Sequence, residues 1–356
     1  MSLEMELAAA IRAEADGGPR IDFAPWALRV FRHQYERNPA YRAFCDRRGV
    51  TPDGVAGWED VPAVPTAAFR HVDLTCGPAQ AVFVSSGTTA GADTRSRHLV
   101  PHLDLYRASA VTTFRRFVLP DDARLHALFL LPPPALRPES SLVRMCSWVG
   151  RDLSVGEEWM AGPLGLDVDA LVTRLRTAEQ SGQAVLLAGP TSGFAELFAT
   201  GQTFRLGPGS RVMDTGGPKG MKRSLSRAGF LRACWNQLGI AGYFCVNEYG
   251  MSELCSQRYD SVLADRLHGR SLAPRRLLGP TWLRTRVLDP DTLQPMPVGR
   301  PGLLCHHDLA NAGSVSVVLT EDIGRDLGDG AIELTGRVPG AMPRGCGLLL
   351  AEMATA

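Results

Sequence analysis

Short apolar runs alternate with longer amphipathic segments over much of the chain, and this alternation constrains the fold more than any other feature. Strand-like apolar runs lie at residues 81–84, 125–131, 184–188, 211–213 and 243–246. Segments with a helical spacing of apolar residues lie at 103–117, 171–179, 194–199 and 225–238. Strands that alternate with helices form sheets covered on both faces, so the pattern predicts an α/β fold of layered, mostly parallel sheets flanked by helices.

The character of the sequence changes at Gly279, where prolines begin to separate short strand-like pieces at residues 282–288 and 314–320. Proline is poorly tolerated inside central strands, so such pieces favour a β-rich region joined by turns. We therefore predict an α/β body that binds nucleotide and acid at 1–278, a β-rich subdomain at 279–335, and a short, truncated C-terminal tail at 336–356 that carries Cys346.

Composition excludes some partners. A formal net charge of +1 leaves no basic excess that would attract nucleic acid or an anionic membrane surface. The first residues, MSLEMELAAAIR, are acidic where a signal peptide is basic, and no stretch approaches the roughly 18 uninterrupted apolar residues of a membrane span. We expect a cytoplasmic protein without membrane insertion.

The strand-like run at residues 81–84 leads directly into Ser85-Ser86-Gly87-Thr88-Thr89. Hydroxyl groups and closely spaced backbone N–H groups in such a loop can surround a phosphate, and glycine lets the backbone approach it without a Cβ clash. The loop lacks the GxxxxGK[ST] pattern of many nucleotide triphosphatases. Taken alone, a turn of this composition is more often an ordinary turn.

A second polar run follows the strand predicted at 242–246. It reads Asn247-Glu248-Tyr249-Gly250-Met251-Ser252-Glu253. The two runs, in this order, resemble the best-known signatures of the adenylate-forming superfamily of acyl-CoA ligases, luciferases and adenylation domains. Their joint occurrence is much stronger evidence than either run alone.

A narrower resemblance extends over nearly the whole chain, to the LuxE-type acyl-protein synthetases of bacterial luminescence. The runs that carry it are 140–145 (SSLVRM), 214–220 (DTGGPKG), 249–260 (YGMSELCSQRYD), 308–311 (DLAN), 320–324 (TEDIG) and 336–346. Members of that family activate a fatty acid with ATP as acyl-AMP, move the acyl group to a cysteine near their own C-terminus, and pass it to a reductase. The resemblance implies this reaction but does not identify the acid.

The resemblance also implies roles for matching positions. It implies that Glu253 is the Mg²⁺ ligand, because a hard carboxylate oxygen suits a hard cation. It also implies that the catalytic residues are Glu253, Thr88 and Cys346. The residues implied to bind nucleotide are Ser85, Ser86, Gly87, Thr88 and Thr89 around the phosphates, Gly216, Gly217, Asn247 and Tyr249 at adenine, Asp322 at the ribose hydroxyls, Arg337 as a cation near the nucleotide, and also Gly250, Met251 and Ser252. A surface or turn carboxylate is the alternative for Glu253 and Asp322.

The sequence departs from the superfamily at two places. The phosphate loop is followed by Arg95 and Arg97 where a lysine is common, and arginine can clamp phosphate in its place. The sequence ends soon after Cys346, so we expect it to lack the usual C-terminal domain and the catalytic lysine of that domain. Positioning and electrostatics, or a partner, would have to supply that function.

Cys346 lies between Gly345 and Gly347, close to Arg344, whose charge would favour the thiolate. A thiolate can attack an acyl-adenylate and form a transferable thioester. The alternative is an unreactive cysteine that begins a strand into the leucines at 348–350.

Three hypotheses follow. The first is a ligase that acts on a carboxylic acid substrate and delivers the acyl group to Cys346 and then to a reductase or carrier protein. The second is a ligase that donates to coenzyme A or another small nucleophile, with Cys346 structural. The third is a catalytically silent scaffold subunit.

Overall fold

The computed structural model describes residues 1–85, 95–216, 225–271, 274–338 and 344–354. These residues form two compact units. The first unit comprises Met1–Thr112, Met251–Gln257 and Leu277–Ala356, and the second comprises Thr113–Gly250 and Arg258–Arg276. Each unit is built from separated stretches of chain, whereas the sequence suggests a linear division at 278 and 335. That division stays a prediction.

The helices have the following bounds: α1 (Leu3–Ala15), α2 (Phe23–Arg37), α3 (Pro39–Arg47), α4 (Leu103–Val118), α5 (Ser141–Leu153), α6 (Val168–Ser181), α7 (Thr191–Ala199), α8 (Arg227–Ala233), α9 (Val262–Leu267) and α10 (Arg344–Ala354). Several begin with a side-chain cap, as at Asn38, whose Oδ1 accepts a hydrogen bond from the Tyr41 amide while Pro39 occupies the first turn. Among the described residues, none of the helices combines the length and the apolar character needed to span a bilayer.

The second unit contains the mostly parallel sheet that the alternating pattern predicts. Its strands are β4 (His126–Phe129), β5 (Gly156–Trp159), β8 (Val185–Pro190), β9 (Arg211–Thr215), β10 (Cys245–Tyr249) and β11 (Arg258–Asp260), with a small hairpin of β6 (Ala161–Gly162) and β7 (Gly165–Leu166). The sheet order is β5-β4-β8-β9-β10-β11, and only the pairing of β10 with β11 is antiparallel. β8 is buried along almost its whole length, as expected for a strand covered on both faces.

The first unit is dominated by antiparallel pairing. Its strands are β1 (Val64–Pro65), β2 (Ala81–Val84), β3 (Arg97–Val100), β12 (Leu277–Leu278), β13 (Leu283–Leu288), β14 (Pro301–Asp308), β15 (Val317–Asp326) and β16 (Ile332–Arg337). The order is β13-β14-β15-β16-β12, β1 adds to β15 in parallel, and β2 pairs with β3 as a separate hairpin. The prediction of a β-rich C-terminal region is confirmed.

Two local predictions are wrong in detail. The strand expected at residues 242–246 begins only at Cys245, because Gly242–Phe244 form a 3₁₀ turn closed by the Phe244 amide and the Ala241 carbonyl at 2.8 Å. β10 therefore includes Asn247, Glu248 and Tyr249, which the sequence prediction placed after the end of the strand. The alternative of a strand beginning at Cys346 is also wrong, because Cys346 lies in the first turn of α10.

Candidate active site

The predicted phosphate loop joins β2 to β3 in the first unit. Ser86, Gly87, Thr88 and Thr89 lie outside the described residues. At the base of the loop the Ser85 amide donates to the Ser96 carbonyl, and the Ser96 amide donates to Ser85 Oγ, both at 3.1 Å. The two ends of the loop are thus held together at the end of an antiparallel pair.

The two candidate arginines after the loop have different surroundings. The exposed Arg97 forms an ion pair with Asp73 at 3.0 Å. Arg95 Nε is buried and has no hydrogen-bond partner within the part of the chain that the structure describes. Arg95 Nε is therefore a donor from which a bound anion could accept a hydrogen bond.

In the second unit, Asp214 near the end of β9 connects the residues predicted to hold adenine. Its carboxylate accepts from Asn247 Nδ2 at 3.0 Å and pairs with Arg227 at 2.6 Å. Gly216 follows β9 with a φ of +82°, a left-handed conformation that favours glycine, and Gly217 lies outside the described residues. Asn247 is thus held by Asp214 at the carboxyl ends of neighbouring parallel strands.

Tyr249 is the last residue of β10 and only 9% exposed. Because side chains alternate along a strand, Tyr249 and Asn247 lie on one face of β10 and Glu248 on the other. Gly250 ends this stretch of the second unit, and the run continues in the first unit with Met251, which packs against that unit's core.

Sequence reasoning assigned no role to Glu248. This side chain is buried, accepts a hydrogen bond from the Thr215 hydroxyl, and lies opposite Thr215 in the β9–β10 register. Burial raises its pKa to about 7; the hydrogen bond from Thr215 opposes this rise, and the charge of Asp214 adds to it. The sequence gives no signal for these surroundings, because the predicted strand ends at residue 246 and the pairing of Glu248 with Thr215 joins two separate strands.

In the first unit, Glu253 is a buried carboxylate that lies close to cations. Burial raises its pKa, while a hydrogen bond from Ser96 and the charges of Arg337 and Arg70 act in the opposite direction. Ser96 thus links Glu253 to the base of the phosphate loop.

Glu253 supplies a carboxylate, the kind of hard ligand that Mg²⁺ uses, and the charges of Arg337 and Arg70 also act on it. Mg²⁺ commonly binds through one or two carboxylates together with substrate phosphates and water. Within residues 1–85, 95–216, 225–271, 274–338 and 344–354, no group of three or more His, Cys, Asp and Glu side chains could hold an ion by itself. A cation at Glu253 would therefore need phosphate oxygens as further ligands.

Asp322 and Arg337 are cross-strand partners on β15 and β16 of the first unit. Arg337 Nε lies 3.2 Å from Asp322 Oδ1 and 3.8 Å from a carboxylate oxygen of Glu321. Asp322 is buried, whereas the Arg337 side chain is 43% exposed. Arg337 therefore contacts Asp322 directly and acts on Glu253 through its charge.

Cys346 is fully buried in the core of the first unit, among residues such as Leu319, Leu349 and Met353. Burial raises the pKa of its thiol to about 11, and the charge of Glu321 contributes in the same direction. The expectation that Arg344 would favour the thiolate is therefore wrong for this position of α10, because desolvation disfavours the charged form.

Three comparisons place this geometry among known proteins. The family model for "Acyl-protein synthetase, LuxE" matches residues 21–355. The chain is 26% identical over 346 residues to the long-chain-fatty-acid–luciferin-component ligase of Vibrio harveyi, covering 92% of this chain and 86% of that one. It is 23% identical over 345 residues to the enzyme of the same name from Aliivibrio fischeri, covering 91% and 86%.

Among solved structures, an open conformation of 2-hydroxyisobutyryl-CoA ligase in complex with 2-HIB-AMP and CoA is similar, with a TM-score of 0.65 and 14% identity. The similarity covers 88% of this chain and 69% of that one, and it supports the predicted adenylate-forming fold. Since the family model spans nearly the whole sequence, the chain belongs to the LuxE acyl-protein synthetase family.

Proposed function

We propose that this protein activates a long-chain fatty acid with ATP as acyl-AMP and then transfers the acyl group to the thiol of Cys346. The observation that carries the proposal is the family match over residues 21–355. The two relatives are named as ligases of long-chain fatty acids, which supports the substrate class.

The nucleotide roles are divided between the two sets of residues described above. Asn247, held by Asp214, and the nearly buried ring of Tyr249 bind adenine. Asp322 accepts hydrogen bonds from the ribose hydroxyls, and the loop that begins at Ser85 surrounds the phosphates. Arg95 provides the positive charge that a lysine provides in other adenylate-forming enzymes, because its Nε has no hydrogen-bond partner among the described residues.

In the first step a carboxylate oxygen of the fatty acid attacks the α-phosphorus of ATP. An oxygen–phosphorus bond forms, the bond from the α-phosphorus to the bridging oxygen breaks, and pyrophosphate leaves with the bonding electrons. Glu253 would hold Mg²⁺, which neutralises charge on the phosphates when bound. Arg337 adds positive charge near Glu253 and holds Asp322 in place for the ribose.

In the second step Cys346 Sγ attacks the acyl carbon, the carbon–oxygen bond to phosphate breaks, AMP leaves, and the thiol proton is released. A buried thiol with a raised pKa is a poor nucleophile. We therefore propose that α10 leaves the core before acyl transfer, which exposes Cys346 to water and lowers its pKa toward the ordinary value. A protein thiol, on a reductase or a carrier, then accepts the acyl group.

The test of the first step is ATP–pyrophosphate exchange with a panel of carboxylic acids that differ in chain length, with and without Mg²⁺. We expect exchange that depends on both ATP and a long-chain acid. Aryl and short-chain acids provide the controls for substrate class. If no acid supports exchange or AMP formation, the proposal is wrong and a scaffold role is favoured.

A further inference from the structure

Residues 252–256 of the first unit carry Glu253 and form a loop that is held by buried polar side chains. The run 308–311, which the family resemblance highlighted without a role, provides two of these side chains, Asp308 and Asn311. They are 0% and 2% exposed. Buried polar groups without hydrogen bonds are costly, so the partners of these two residues indicate what they do.

The orientation of the Asn311 amide follows from its neighbours. Asn311 Nδ2 donates to the carbonyl of Glu253 at 2.9 Å and to the carbonyl of Val315 at 2.7 Å. Both partners can only accept, which places the amide nitrogen on their side. Asn311 thus fixes the main chain of Glu253 itself.

Asp308 binds the same loop two residues later. One carboxylate oxygen, Oδ2, accepts from the Cys255 amide at 2.9 Å. The other, Oδ1, accepts from Ser256 Oγ at 2.6 Å and from the Ala310 amide at 3.0 Å. The bond from the Ala310 amide connects Asp308 to the start of the turn that carries Asn311.

His98 completes the set from β3. Its Nδ1 lies 2.7 Å from the carbonyl of Ser252, and its Nε2 lies 2.8 Å from Asn311 Oδ1. Both neighbours are acceptors, so a neutral ring donates to only one of them, and burial lowers the pKa of His98 to about 4. Asp308 and Asn311 make three hydrogen bonds to residues 252–256, and His98 adds a contact at Ser252.

We infer that Asp308 and Asn311 are positioning residues that fix the carboxylate of Glu253 by holding the main chain at its own carbonyl and at the Cys255 amide that follows. The inference rests on the proposed function, in which Glu253 holds the cation bound to the phosphates. Residues that support a metal ligand from behind influence metal affinity and activity by about 10–100-fold when they are removed.

The decisive variant is Asn311→Ala, compared with Asn38→Ala. Asn38 is an equally buried asparagine of the first unit, and its Nδ2 also donates to a main-chain carbonyl, that of Ser314 at 3.2 Å. Asn38 makes no bond to residues 252–256 among its hydrogen bonds to Ser314 and Tyr41. Both variants lose a buried amide, so a general loss of stability affects both.

We expect Asn311→Ala to lower the exchange rate at saturating acid by about 10–100-fold and to raise the magnesium concentration for half-maximal rate. The half-saturating concentration of acid should stay unchanged. Asn38→Ala should lower the unfolding temperature without changing the magnesium dependence. Asp308→Asn keeps one acceptor for the Cys255 amide and should retain more activity than Asp308→Ala.

Amide hydrogen exchange provides a readout that needs no activity. In the apo protein, Asn311→Ala and Asp308→Ala should speed exchange in the peptide that spans residues 252–256, whereas Asn38→Ala should not. Unchanged exchange in this peptide, or a magnesium dependence that shifts equally in Asn38→Ala, would overturn the inference. If the wild-type protein activates no acid, the proposed function fails, and the hydrogen-exchange result alone decides whether the two anchors hold the loop.

Discussion

Glu248 should make the protein less stable as the pH rises, and Glu248→Gln should remove this effect. The carboxyl group is buried on β10 and accepts a hydrogen bond from the Thr215 hydroxyl. Burial raises its pKa from 4.5 to about 7. The substitution keeps the size of the side chain and replaces a group that must ionise in a buried place with one that never ionises.

The magnitude follows from linkage. Between pH 4.5 and 7 the native state keeps the proton that the unfolded state has released, so the free energy of unfolding falls as the pH rises through this window. One pKa unit corresponds to about 1.4 kcal/mol, so the shift limits the loss to about 3 kcal/mol, reached near pH 7 and constant above it. Glu248→Gln should recover most of this free energy at pH 8 and little of it at pH 5.

Urea unfolding of the wild type and of Glu248→Gln at pH 5, 6.5 and 8 tests the reasoning. Glu196→Gln, a change at an exposed glutamate on α7 of the same unit, controls for the loss of one negative charge. The account predicts that the difference between wild type and Glu248→Gln grows with pH. A constant difference across this range, or a variant that is less stable than wild type at pH 8, would refute it.

Three further predictions concern other residues. Glu253→Gln should reduce the maximal rate of pyrophosphate exchange more than the affinity for acid, because it removes a charge near the phosphates and keeps the side-chain size. Steady-state kinetics with varied magnesium check this prediction. An unchanged rate at limiting magnesium would contradict it. Glu4 is buried, lies 2.8 Å from His33 Nε2, and has its pKa lowered to about 2. The stability that it contributes above pH 4.5 should therefore be lost as the pH falls toward 2. The unfolding temperature of Glu4→Gln should accordingly depend less on acid pH than that of the wild type. Gly345→Ala should loosen α10, because a Cβ at this position would lie 2.6 Å from Leu293 Cδ2, whereas a Cβ at Gly347 would meet no atom within 4 Å. Limited proteolysis should therefore cut the C-terminal segment faster in Gly345→Ala than in Gly347→Ala. Equal cleavage of the two variants would count against a docked α10.

Much of the fold could be predicted because burial on both faces of a parallel sheet demands apolar strands. Residues 184–188 became the buried β8, and residues 103–117 became α4. β10 was misplaced because its last residues, Asn247 to Tyr249, are polar and thus resemble a loop. Their polarity reflects the hydrogen bonds that Asp214 and Thr215 provide from the neighbouring strand.

The supporting contacts of the site could not be predicted, because they join residues far apart in the chain. Asn311 and Glu253 are separated by 58 positions, and Asn311 and His98 by 213. Neither pairing has a local signature. The surroundings of Cys346 were also misjudged, since its neighbours in sequence suggested a cationic site and its neighbours in space are apolar.

In the proposed function, acid activation and acyl transfer are separate steps, and the acyl group is carried on Cys346. Intact-mass measurement after incubation with ATP, Mg²⁺ and a long-chain fatty acid tests it directly. We expect a hydroxylamine-sensitive acyl adduct on the wild type and none on Cys346→Ser, although the variant still activates the acid. An adduct that persists in Cys346→Ser, or that maps to another cysteine such as Cys255, would contradict the account.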